Sequence, residues 1–218
     1  MKAWVYIGHG ENHSEIVLRM SDIPAGYWSR LGLEVPSWAE YVFVGFFDKE
    51  YAEGLRGQTA ALFNSPGVLR VSFAGFSIEE LLKLDTLFPI AMSEDAYLEL
   101  LRYVSGEMAQ SPEGQVSPIP DFVFDVNRES SLISYRTISI PTSRPYNALN
   151  VCHHWVLDGF SAAGFRMPPL VYTNIDMRNE LEYRFPRELQ RCKGYKNLTS
   201  GPVAPHVNRR ISRKASDT

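Results

Sequence analysis

Cys152 occupies a position where a thiol can act as a nucleophile. Cys152, Trp155, Val156, Phe160 and Ala163 recur at steps of three and four, the spacing of one helical face. Gly164 suits a C-terminal cap, and Pro168-Pro169 prevents continuation. The spacing predicts a helix over 152–163 with Cys152 at its N-terminal end. Gly159 in mid-helix costs about 1 kcal/mol against alanine. Free amide N–H groups in a first helical turn lower a thiol's pKa and can hold an oxyanion. The competing structural reading is a core cysteine, since Cys is among the most buried residue types.

A thiolate nucleophile needs a base, usually histidine, and a group to orient that base. The chain has His9, His13, His153, His154 and His206. His153 and His154 share the predicted helix with Cys152, so their side chains are expected to fan away from it. His206 falls in a predicted tail. His13 opens a predicted strand, which can place it across a cleft from a helix end. His9 lies in the same predicted hairpin as a second polar member.

Positioning these groups requires an α+β arrangement. Ala3–Ile7 and Glu15–Met20 read as two strands of a hairpin whose loop carries His9, Glu11, Asn12 and His13. Residues 24–36 read as an irregular excursion. Tyr41–Phe47, Val68–Phe73, Phe122–Val126 and Ser134–Ile140 read as further strands. Ser77-Ile78-Glu79-Glu80 is a capping box ahead of Leu81, Leu82 and Leu84. Ser93 caps a second helix with Glu94 and Asp95 in its first turn and a stripe of Tyr97, Leu100, Leu101, Val104 and Met108. A Pro/Ser/Gly-rich linker follows over 111–120. Glu180–Gln190 reads as another helix, interrupted by Pro186.

At 218 residues the chain is long enough for one substantial core. With 44% apolar and 22% charged residues and a net charge of −3, it has the balance of a globular chain, and no nucleic-acid partner is expected. The stretch Asn208-Arg209-Arg210-Ile211-Ser212-Arg213-Lys214 reads as a solvated tail. Two cysteines, Cys152 and Cys192, are too few for a disulfide scaffold or a thiolate metal site. Whether they can pair is left open. No metal or cofactor is expected, and no stretch is long enough to cross a bilayer. No signal-peptide region precedes the first strand, so the sequence as written is expected in the cytoplasm.

Three stretches resemble an uncharacterised bacterial family described as a conserved protein from urease gene regions. Val5-Tyr6-Ile7 through Asn12-His13-Ser14-Glu15-Ile16-Val17-Leu18 resembles its strand–turn–"WHTGIVL" block. Tyr41-Val42-Phe43-Val44-Gly45-Phe46-Phe47-Asp48 resembles its "GWGD" strand. Tyr146 through Asn150-Val151-Cys152-His153-His154-Trp155 and on to Ala162-Ala163-Gly164-Phe165 resembles its "NTCNTW…RAAGL" helix. The chain departs from that pattern at Asn12 and Phe46, where the family has tryptophan.

The order of histidine before cysteine is similar to circularly permuted papain-like hydrolases, including NlpC-type cell-wall peptidases. The resemblance implies an antiparallel sheet packed against helices, in permuted papain-like order, over 1–170. It leaves 171–205 as an extension packing on that domain and 206–218 as a flexible tail. It implies Cys152 as nucleophile, His13 as base, Asp48 as orienting acid, and structural roles for Asn150 and Trp155. The activity implied is cleavage or transfer at an amide or peptide bond, with a peptide or cell-wall-like substrate. Periplasmic or secreted delivery and a partner protein are left open.

Two other functions compete. His153-His154-Trp155-Val156-Leu157-Asp158-Gly159 is similar to the H-H-x-x-x-D-G motif of chloramphenicol-acetyltransferase-like enzymes, which implies His154 as base and Asp158 as structural acid. On the predicted helix these two share the exposed face at i, i+4, worth a few tenths of a kcal/mol. The other reading is an inert relative that keeps the fold as a binding or inhibitor protein.

Overall fold

Alternating apolar residues set the sheet. In a strand, successive side chains face opposite sides; β1 (Lys2–Gly10) sends Val5 and Ile7 into the main core and Trp4 and Tyr6 into a smaller cluster with Val17 and Tyr41. The computed structural model describes residues 2–10, 13–49, 65–75, 87–119, 124–127, 134–168 and 174–185. The helix expected over Ser77–Leu84, Cys192, His206 and the basic tail lie outside the described residues.

The remaining strands are β2 (His13–Arg19), β3 (Tyr41–Asp48), β4 (Ser65–Gly75), β5 (Leu87–Ser93), β6 (Phe124–Asn127) and β7 (Ser134–Tyr146). They form one antiparallel sheet in the order β5-β1-β2-β3-β4-β7-β6. The α-helices among the described residues are α1 (Tyr27–Arg30), α2 (Glu94–Gly106), α3 (Cys152–Ala162) and α4 (Asn174–Arg184). The class is therefore α+β, an antiparallel sheet with helices packed on its core.

Local chemistry explains the helix ends. The Ser93 hydroxyl accepts from the Ala96 N–H at 3.3 Å, an N-cap on α2. α3 ends in a Schellman motif. Gly164 is left-handed (φ 88°), its N–H bonds Ser161 O at 3.0 Å, and Phe165 N–H bonds Phe160 O at 3.0 Å. Phe160 and Phe165 also meet as rings, 5.9 Å apart. Gly159 has a reason to sit in mid-helix. A Cβ there would lie 3.0 Å from two Tyr103 ring carbons, so the glycine lets α2 and α3 pack closely.

Four expectations change. The excursion over 24–36 contains α1 and sinks Trp28, Leu31 and Leu33 into the core. β5 was not expected, because Pro89 breaks its β-prone run. It pairs only with β1 at the sheet edge, where proline is tolerated. β7 runs past Ile140 through Pro141 and Pro145, accommodated by a register shift between Pro66 and Val68. α4 starts at Asn174 rather than Glu180 and stops before Pro186; its Met177 and Leu181 join the main core.

Gly67 stands at that register shift, and a Cβ on it would come within 2.4 Å of both Arg144 O and the Phe46 ring. Gly67→Ala is expected to destabilise by about 2 kcal/mol through overpacking. Gly106→Ala, with nothing near a Cβ, should be neutral or stabilise by up to about 1 kcal/mol. Urea midpoints of the two variants check the contrast.

Candidate active site

The chain reverses immediately before α3. Asn150 N–H bonds Asn147 O at 2.9 Å, Asn147 N–H returns to Asn150 O at 3.3 Å, and Asn147 Oδ1 accepts from Leu149 N–H at 3.0 Å. Such side-chain-to-backbone bonding is what favours asparagine in turns. Asn150 also donates to Pro145 O and accepts from Arg144 Nε. Val151 is extended (φ −101°, ψ 173°) and caps without a side-chain hydrogen bond. The first helical bond runs from Trp155 N–H to Val151 O at 3.1 Å. Cys152 is thus the first residue of α3, where first-turn N–H groups favour an anion.

Arg144 ties this turn to both helices. Its guanidinium bonds Asn150 before α3 and Asp158 on α3, and lies 3.7 Å from Glu107 at the end of α2. It also donates to Tyr103 Oη at 3.1 Å, while that hydroxyl donates to Trp155 O at 2.9 Å. Burial keeps the Tyr103 hydroxyl protonated, which this donation requires.

Around the sulfur three side chains converge. His13 on β2 lies close enough to the Cys152 side chain for each to shift the other's pKa. His153 Nδ1 lies 3.4 Å from Cys152 Sγ. Tyr146, the last residue of β7, lies beside Cys152, whose side chain and backbone both act on its hydroxyl. Burial alone would raise the Cys152 pKa, but hydrogen bonds and charge from His13 and His153 bring it well below the usual thiol value. Burial would likewise lower the His13 pKa; Cys152 and Glu15 raise it instead, to about 9. Both shifts run toward the charged forms, a thiolate on Cys152 and an imidazolium on His13. Burial, then the nearby Cys152 charge, hold Tyr146 protonated.

His13 is held on its other sides. Its Nε2 lies 3.2 Å from Glu15 Oε1, and its ring sits 3.9 Å from the Phe47 ring centroid. Gly45 makes room for it, because a Cβ there would come within 2.7 Å of Nε2. About a quarter of the His13 and Glu15 side chains is open to solvent, against 1% of Cys152.

The expected site residues fall out as follows. Cys152 and His13 are brought together. Asp48 is buried at the end of β3 and accepts from the Ser65 hydroxyl, and the carboxylate bonded to His13 is Glu15. Asn150 fixes the turn, and Trp155 is sealed in the core beside Tyr103, 5.6 Å between centroids. His153 does not fan away: an imidazole Nδ1 sits close to the backbone and can reach the neighbouring thiol. His154 is buried rather than exposed, and burial lowers its pKa. Asp158 is half-exposed and bound to Arg144. His9 lies in β1 opposite Ser14.

Glu15, Tyr146, His153 and Arg144 were not among the expected site residues. Glu15 carried a usable signal, since a residue two along a strand from His13 shares its side. Among the described residues no group of three or more His, Cys, Asp or Glu side chains gathers as a metal site, and no helix is long and apolar enough to cross a membrane. No family model, curated protein or solved structure matches this chain.

Arg144→Met should cost about 2 kcal/mol, the loss of charge-assisted bonds to partly buried partners. Arg144→Lys should recover less than half of it, since one ammonium cannot replace a planar fork. Urea denaturation of both variants tests this; an unchanged midpoint in Arg144→Met would remove the anchoring role.

Proposed function

We propose that this chain is a cysteine hydrolase or acyltransferase, of permuted papain-like arrangement, acting on an amide or peptide bond through a thioester on Cys152. The supporting observation is the juxtaposition of His13 and Cys152 at the first turn of α3, with Glu15 bonded to His13 Nε2. A preformed thiolate beside an imidazolium supplies both a nucleophile and a proton for the leaving group.

In this reading the Cys152 thiolate attacks the carbonyl carbon, and the carbonyl electron pair moves to oxygen. The Cys152 N–H and the Tyr146 hydroxyl, already adjacent, are the donors for that oxyanion. His13 gives its proton to the leaving nitrogen as the C–N bond breaks, and a thioester remains. Neutral His13 then takes a proton from water or another nucleophile, which attacks the thioester and releases the thiolate. Glu15 keeps the ring oriented and favours its charged state. A peptide of cell-wall type is the substrate class suggested by the sequence resemblance.

A second reading is supported by one observation, the 1% exposure of Cys152. An inert binding protein on the same fold has no need to open its thiol to solvent. The acetyltransferase reading has less support, because Asp158 is committed to Arg144.

Thiol-directed electrophiles separate the first two. At pH 7 Cys152 should be labelled much faster than Cys192, and a slow amide or ester substrate should leave an acyl adduct on Cys152 visible by mass spectrometry. Equal, slow labelling favours the inert protein. Cys152→Ala should abolish turnover, and Glu15→Gln should lower it by about tenfold.

The pH profile follows from the pair. Attack needs Cys152 deprotonated and His13 protonated, so the rate should rise through about pH 5 and fall through about pH 9. A profile with a single rise near pH 9 would mean that Cys152 is an ordinary thiol.

A further inference from the structure

Resting on the thiolate reading above, we propose that His153 is a positioning residue that donates its Nδ1–H to the Cys152 sulfur, holding the thiolate as a second imidazole donor beside His13. Three observations carry it. The Nδ1–Sγ distance is 3.4 Å, within hydrogen-bonding range for sulfur. His153 is 3% exposed, so its ring is held by packing rather than free to sample water. Cys152 opens α3, so the sulfur lies at the helix end that favours negative charge.

The direction of the bond follows from charge. A thiolate has no proton to give, so an attractive contact with the ring, neutral or charged, requires the hydrogen on Nδ1. His153 is therefore assigned the Nδ1–H tautomer. The division of labour is asymmetric. His13 touches both the sulfur and Glu15 and is open on one side, which suits a proton carrier. His153 is sealed beside the sulfur, which suits a fixed donor.

Among the described residues, the other charged or titratable groups near this sulfur are His13 and its partner Glu15 on β2, Tyr146 on β7, and Asp48 on β3, whose charge reaches Tyr146. None of them is altered by substitution at His153. Two variants separate a donor from a mere filler. His153→Asn keeps an N–H near the Nδ1 position, and His153→Leu keeps bulk without a donor.

The test is the thiolate absorbance near 240 nm against pH, in a Cys192→Ser background so that Cys152 is the one thiol observed. Loss of a hydrogen bond to a charged group should cut the thiolate-to-thiol ratio by about tenfold or more in His153→Leu. His153→Asn should stay within about threefold of the parent, by the near-equivalence of one neutral N–H donor to another. An unchanged titration in His153→Leu overturns the proposal. So does an equal shift in both variants, which would assign His153 a charge rather than a donor role.

Should His153→Leu fail to fold, histidine ¹⁵N NMR of the parent decides. A protonated Nδ1 on His153 supports the proposal, and an unprotonated Nδ1 overturns it. These readouts do not need turnover. A low thiolate pKa that His153 controls, without amide cleavage, leaves this inference standing and removes the hydrolase. An ordinary thiol in the parent removes both.

Discussion

The guanidinium of Arg144 joins parts of the chain that would otherwise be independent. It reaches the turn that precedes α3 through Asn150, the body of α3 through Asp158, and the end of α2 through Glu107 and Tyr103. One planar fork can satisfy several acceptors at fixed angles, which a point charge cannot. The result is that the start of α3 has a defined position relative to β7, because Arg144 is itself a β7 residue. The sulfur of Cys152 is two bonds from the backbone placed in this way. Tyr146, two residues after Arg144 on the same strand, reaches the same cysteine. Sheet, turn and helix are thus registered by one side chain, and the site inherits that register.

Burial opposes charge on both Cys152 and His13. For Cys152 and His13 that opposition is the largest single effect, yet each moves the other way. Attraction within the pair and from its neighbours opposes it: Glu15 is bonded to His13, and His153 and Tyr146 lie beside the sulfur. This separates Cys152 from a core cysteine of similar burial, which lacks such neighbours.

Much of this was legible in the sequence, in uneven ways. The spacing of Cys152, Trp155, Val156 and Phe160 placed the helix and its first residue, because a buried helical face leaves a periodic trace. The Ser93 cap and the Tyr97–Val104 stripe were legible for the same reason. β5 was not, because Pro89 is a breaker except at a sheet edge, and edge position is a property of the whole fold. The site divided similarly. Cys152 and His13 are chemically conspicuous, and Glu15 lay within reach of strand periodicity. Arg144 and Tyr146 act across a turn whose closure depends on Asn147 and Asn150, so no fixed spacing announces them. His153 was set aside because neighbouring helical residues diverge by about 100°. That rule describes Cβ directions and not the reach of a ring nitrogen.

Three glycines show how closely the supporting structure is fitted. At Gly45 a Cβ would collide with the His13 ring, at Gly67 with the carbonyl of Arg144, and at Gly159 with Tyr103. Each of these neighbours belongs to the chain of contacts ending at Cys152. None of the three glycines has a left-handed backbone, so conformational freedom does not require glycine there; absence of a side chain does. Glycine in a strand or helix interior gives up local stability. Here that loss coincides with the places where His13, the anchoring arginine and the α2–α3 contact need the space. Close packing around a site transmits displacement rather than absorbing it, so the geometry at the sulfur depends on residues that never touch it.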